Sequence, residues 1–214
     1  MQRDLLDALR CPGDHEESWL VAMVHVAVGS DLRDAELACP VCGAEYRVTE
    51  GVAYFTPPTE RVETDAPVDA DPLSGDMVVR LAALLGVSES RYPVALIGRD
   101  AAASAALAAM VEAPQLLVNA GLQPAAEMAT RLRVGDRLPF GADTLAAVAV
   151  DAKHATAAML RSAAHALRVG GRLVAPVDAP LPAGVRELAR DAHEWVAETT
   201  ARVNGLVELR RHAP

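Results

Sequence analysis

The chain has 214 residues, enough for one large domain or two small ones with a sizeable core; 51% are hydrophobic but only 3% aromatic, so the interior must be built from Ala, Val and Leu. A formal net charge of −9 argues against a general nucleic-acid binder or a protein held on an anionic membrane, since both want a basic field. No apolar run approaches the roughly 18 residues of a membrane span, and Met1-Gln2-Arg3-Asp4 lacks the apolar core of a signal peptide, so a soluble, cytoplasmic protein is expected.

In chain order, Leu5, Leu6 and Leu9 fall on one face of a short helix that should end at Cys11-Pro12. Residues 19–28, WLVAMVHVAV, suit a buried strand, with His25 packed in it rather than acting as a ligand. The three cysteines, Cys11, Cys39 and Cys42, all lie in this first segment, and an odd number including a Cys-Pro-Val-Cys knuckle reads as metal rather than disulfide. Gly43 follows Cys42 directly and eases the tight turn that points backbone N–H groups at thiolate sulfur. The first knuckle, Cys11-Pro12-Gly13-Asp14-His15, carries Asp14 where a second Cys would stand. His15, one residue on, is the better zinc ligand, so a structural zinc on Cys11, His15, Cys39 and Cys42 is expected, with Asp14 as the alternative to His15. The bland reading is a knuckle held by packing, with its cysteines free.

LLDALRCP at 5–12 followed by ELACPVCGAEYRVTEGVAYF at 36–55 resembles the small zinc-ribbon proteins that activate tRNA and protein methyltransferases. Departures are Asp14, Arg47 where Pro is usual, and a longer insert between the knuckles. The resemblance implies a structural zinc and a ribbon that works by docking on a methyltransferase domain.

Residues 57–76 are rich in Pro and acidic residues and read as a linker between a ribbon at 1–56 and a second domain at 77–214. That domain alternates apolar strands with Ala-rich helical stretches: helix 76–86, strand 92–98, helix 100–112, strand 115–120, a short helix near 124–129 and a strand 130–135. Strand 144–151, helix 154–168, strand 171–177, helix 182–193 and strands near 194–200 and 205–211 complete it. GDRLPFGADTLAAVAVD at 135–151 and HALRVGGRLVAPV at 165–177 make this order resemble the α/β, seven-stranded Rossmann-like fold of the S-adenosylmethionine (SAM) methyltransferases.

The nucleotide loop breaks that pattern. A SAM site needs a Gly-rich turn after the first strand, where backbone approaches the cofactor. Here Leu96 stands in the acidic position, and Gly98 is followed by Arg99, Asp100, Ala101 and Ala102. Of the cofactor contacts that the resemblance implies, Gly98 remains, Asn119 replaces the acidic residue for the ribose, and Asp136 matches the adenine position. This argues against SAM binding. Asp151 is expected to N-cap the following helix, Gly170-Gly171 to cap its end, and His154, His165 and His193 to sit on solvent-exposed helix positions.

The sequence therefore favours a non-catalytic zinc-ribbon and methyltransferase-like protein: a scaffold, a regulatory partner or a self-associating module. The alternative is a divergent SAM-dependent methyltransferase with its activating ribbon in cis. The ribbon's exposed strand, near Val52, Tyr54 and Phe55, is expected to dock on its own 77–214 domain or on a second copy, with a homodimer or a methyltransferase-type protein as partner.

Overall fold

The structure is a computed structural model that describes residues 1–56, 73–121, 125–127 and 129–200. Most of the expected linker, the strand near 205–211 and part of the helix near 124–129 lie outside the described residues; the described part of 124–129 holds no helix.

Short apolar runs with every residue buried become the centre of a sheet covered on both faces. They are β5 (Val94–Ile97), β6 (Gln115–Val118) and β8 (Leu145–Val150). Before them come β1 (Val21–Val28), β2 (Asp31–Ala38), β3 (Glu45–Thr49) and β4 (Val52–Tyr54), and around them β7 (Thr130–Arg133), β9 (Leu167–Pro176), β10 (Val185–Arg190) and β11 (Glu194–Thr199). All eleven form one sheet in the order β1-β2-β3-β4-β7-β6-β5-β8-β9-β11-β10. Counted from β5 as the first, the second segment runs 3-2-1-4-5-7-6, with β11 antiparallel to both neighbours. This is the α/β, Rossmann-like arrangement expected from the sequence.

The two segments are not separate bodies. β4 adds to β7 in parallel, Val52 opposite Arg131 and Tyr54 opposite Arg133, and the Phe55 N–H donates to the Arg133 carbonyl at 2.7 Å. Alternation along β5 sends Ala95 and Ile97 to one face, and Val94 and Leu96 to the other. The first face is covered by helix α3 (Ala157–Ala166) and by the N-terminal 3₁₀ helix Arg3–Ala8, whose Leu5 packs in one core with Leu9, Leu116, Leu132 and Leu160. The second is covered by α1 (Gly75–Leu85) and by the 3₁₀ stretch Gly98–Ala103 running into α2 (Ser104–Leu107). The N-terminal segment thus covers sheet surface that crossover helices would otherwise bury. No helix among the described residues is long and apolar enough to cross a membrane.

Four expectations are corrected. Residues 182–193 hold β10 rather than a helix: β11, whose Trp195, Val196 and Ala197 are buried, offers a full antiparallel ladder that outweighs helical propensity. The stretch 100–112 is helical only to Leu107, because the chain must turn to bring Glu112 beside Ser88 and Ser90. The strand over 19–28 forms as β1 but is exposed, with Val21 62%, Met23 56% and Val28 64% accessible, since it is the end of the sheet and no layer among the described residues covers it. Gly170 and Gly171 do not cap α3. They belong to β9, where the register against β8 jumps from Leu145↔Leu167 to Ala147↔Arg172 and a Cβ at Gly171 would meet the Ala146 carbonyl.

Candidate metal centre and nucleotide crevice

The N-terminal segment converges four ligand atoms. Cys11 follows the 3₁₀ helix, with its N–H on the Ser18 carbonyl. Cys39 follows β2, and a tight turn returns the Gly43 N–H to its carbonyl at 2.9 Å; Gly43 has φ +71°, which a residue with a Cβ rarely adopts. Cys11, His15, Cys39 and Cys42 bring one donor atom each within 4.8 Å of one another.

The individual distances suit a tetrahedral ion. Cys11 Sγ lies 3.7 Å from Cys42 Sγ, and Cys39 Sγ 3.4 Å from His15 Nε2. Zn–S bonds of about 2.3 Å at tetrahedral angles place ligands about 3.8 Å apart, with slightly less between S and N. His15 Nδ1 is 2.6 Å from the Glu16 carbonyl, so a proton there leaves Nε2 free as the ligand. Three thiolates and one imidazole fit zinc. Asp14, the alternative ligand, is turned away: it is 87% exposed and pairs with Arg137 at 2.5 Å.

The surroundings polarise the thiols in opposite ways. Burial works against ionisation of Cys39, but N–H groups of Cys42 and Val41 outweigh it and hold the thiol at about 6. Burial pushes the Cys11 thiol up, although its sulfur meets the Tyr46 hydroxyl at 3.3 Å and the Gly13 N–H at 3.4 Å. Tyr46, on β3, is a sulfur partner that spacing rules do not single out. His25 is neither a ligand nor packed; it is exposed on β1, 4.0 Å from Glu36.

The second candidate region lies at the carboxyl edge of the parallel strands, where order reverses between β5 and β8 and sheets of this kind bind ligands. Gly98, Asn119 and Asp136 follow β5, β6 and β7, so the chain does bring them to that edge. The Asn119 side chain is engaged within the chain. Asn119 Nδ2 donates to the Val134 carbonyl at 3.0 Å and its Oδ1 accepts from the Val134 N–H at 2.9 Å. Leu96 is fully buried against the α1 face, and Asp136 sits in an exposed turn.

Over Gly98 stand two side chains. A Cβ there would overlap the Asp151 carboxylate and His154 Nδ1. Asp151 Oδ2 accepts from the Arg99 N–H at 2.8 Å, and Oδ1 from the His154 N–H at 3.0 Å, with His154 Nδ1 at 2.6 Å. In the loop after β5 the Arg99 N–H is therefore taken by the chain's own Asp151 carboxylate. Asp151 does not cap α3; Thr156 does, accepting from the Met159 N–H at 3.1 Å. His154 is half-buried rather than exposed, His165 is exposed but pairs with Glu17 at 2.8 Å, and His193 is exposed. Asp100 adds to the crevice: burial, then the charges of Asp151 and Glu194, push its carboxyl up to about 7 against the pull of Arg99. Arg80 of α1 pairs with both Glu194 and Asp191.

No protein-family model matches the chain, and no curated protein does. Among solved structures, a "putative methyltransferase" of Bacillus halodurans is similar at 14% identity and TM-score 0.36, over 55% of this chain and 53% of that one. A SAM-dependent methyltransferase of Thiobacillus denitrificans, in complex with S-adenosyl-L-homocysteine, is similar at 15% identity and TM-score 0.36, over 56% of this chain and 55% of that one. The chain thus spans about half the length of each.

Proposed function

We propose that this chain is a non-catalytic scaffold in which a zinc ribbon and a methyltransferase-like sheet are built as one body. One observation carries the reading: Asp151 and His154 occupy the space over Gly98, and Asp151 takes the Arg99 N–H. A backbone donor already bonded to an internal carboxylate is lost to any cofactor, and displacing that carboxylate leaves polar groups unpaired, at about 1–3 kcal/mol each. The zinc is structural, because four protein ligands leave no open position for a substrate or an activated water.

The test is thermal denaturation with and without 1 mM SAM. A ligand at 100 times its dissociation constant stabilises by about 2.7 kcal/mol, so an unchanged melting temperature supports the scaffold. A rise of several degrees favours the second reading, a divergent SAM-dependent methyltransferase that contacts its cofactor through Gly98, Asn119 and Asp136. That reading draws on the strand order and on the convergence of those loops at one edge.

As a scaffold, the chain offers β1 to a second copy. Among the described residues this end strand pairs only with β2, and its outer N–H and C=O groups meet no further strand beside Val21, Met23, Val26 and Val28. Its one titratable residue is His25, so two copies can pair antiparallel about a two-fold axis without opposing carboxylates. At the other end of the sheet, β10 carries Arg186, Glu187 and Arg190, the charged pattern that blocks such pairing. Light scattering should give a dimer that Met23→Lys/Val26→Lys converts to monomer; a monomeric wild type would refute the pairing.

A further inference from the structure

Away from the metal centre and the crevice, the amino-terminal edge of the parallel strands holds a cavity of about 990 Å³, between the N-terminal 3₁₀ helix and the starts of β5, β6 and β7. Its size is at the upper end for a small-molecule site, and it lies where two segments meet. Leu5, Val111 and Leu116 supply buried apolar walls. Gln115, only 3% exposed, lines it too; its Oε1 accepts from the Ser104 hydroxyl at 2.6 Å, while its Nε2 has no acceptor among the described residues.

The lining is strongly anionic. Asp4 and Asp7 are three apart on the 3₁₀ helix, where residues at that spacing eclipse one another on the same face. Glu89 and Glu112 are held opposite each other by a parallel bridge, which the Ser90 N–H on the Glu112 carbonyl (2.9 Å) and the Glu112 N–H on the Ser88 carbonyl (2.7 Å) maintain. Glu127 and Asp143 complete six exposed carboxylates. The one basic residue in the described lining is Arg91, whose guanidinium lies over the Tyr92 ring and donates to its hydroxyl. Fixing like charges side by side opposes folding. A bound cation would reverse that cost.

We propose that this cavity binds a small organic cation with an apolar body. Its ammonium groups would sit between the Asp4–Asp7 and Glu89–Glu112 pairs, its body against Leu5, Val111 and Leu116, and a carbonyl, hydroxyl or sulfonyl oxygen would accept from Gln115 Nε2. The size of the cavity and its apolar walls separate this from loose counter-ion attraction, which needs neither.

Dansylcadaverine is a suitable probe, with an ammonium, a sulfonyl acceptor and an apolar ring system whose emission rises on leaving water. Titrated into the full-length protein, it should bind saturably at one site, while dansylglycine, the anionic counterpart, should not. Glu89→Gln/Glu112→Gln should weaken the probe about tenfold. Ala108→Trp, at an exposed lining position, should abolish binding with the circular dichroism spectrum unchanged, and it decides the matter if the double variant fails to fold. Absence of saturation at millimolar probe, equal binding of dansylglycine, or undiminished binding by folded variants would each overturn the proposal.

Discussion

Replacing Asp151 by Ala removes the acceptor that closes the nucleotide loop. Asp151 takes the Arg99 N–H at 2.8 Å, the His154 N–H at 3.0 Å and the His154 ring nitrogen at 2.6 Å, with only 13% of its side chain exposed. Hydrogen bonds to a charged acceptor contribute about 1.5–3 kcal/mol each, and water can reach part of the vacated space. The expected loss is about 3–5 kcal/mol. Asp151→Asn keeps one acceptor oxygen but turns an amide donor toward the remaining N–H, so it should lose about 2 kcal/mol. Burial alone would raise the Asp151 carboxyl; hydrogen bonds from His154 and Arg99 outweigh it and hold the group below the usual aspartate range. A depressed folded pKa means that the contribution is present at neutral pH and fades as pH falls through that value, so the gap to wild type should close in acid. Urea unfolding at neutral pH measures it. An Asp151→Ala variant within about 0.5 kcal/mol of wild type, the ordinary range for an uninvolved surface position, would refute the closure.

Three further outcomes are expected. His15→Ala should bring zinc well below one per chain and lower the melting temperature, whereas Asp14→Ala, which breaks only an exposed ion pair with Arg137, should retain zinc and cost less than about 1 kcal/mol; elemental analysis distinguishes them. A fragment starting at residue 57 should fail to fold cooperatively, because it uncovers the sheet face that Leu5 and Leu9 bury and bares the β7 edge that β4 pairs; a sharp melting transition for it would count against the shared core. Asp100 holds its proton up to about 7 when folded, whereas an unfolded aspartate releases it near about 4, so stability should fall as pH rises between those values. Asp100→Asn removes that loss. Relative to wild type it should gain up to about 4 kcal/mol on going from pH 4 to pH 8, and an unchanged difference between the two would contradict the assignment.

Much of this architecture was legible because its signals are local. VALI, QLLV and LAAVAV are too short and too apolar to be anything but strands buried on both faces, and the Cys-Pro-Val-Cys-Gly knuckle sets its own turn. What misled depended on neighbours. Val185, Leu188 and Ala189 have helical spacing, yet the edge ladder of β11 draws them into β10, with a register shift between Glu187 and Ala189 absorbing the mismatch. WLVAMVHVAV has the composition of a core strand and lies at the edge, because coverage is decided by which layers reach it. Asp151 and His154 were visible three apart, but Thr156 takes the capping role, and only the turn at Gly98 places the pair over the nucleotide loop. The choice between Asp14 and His15 rested on ligand chemistry alone; the pairing of Asp14 with Arg137, distant in sequence, was not legible there.

The central claim is that the crevice between β5 and β8 is filled by the chain itself. Calorimetric titration of SAM into the zinc-loaded, full-length protein tests it most directly. The account predicts no saturable heat up to millimolar SAM, since micromolar binding is worth about 8 kcal/mol and opening the Asp151 closure alone costs roughly half of that. A one-to-one isotherm with a low-micromolar dissociation constant would contradict it.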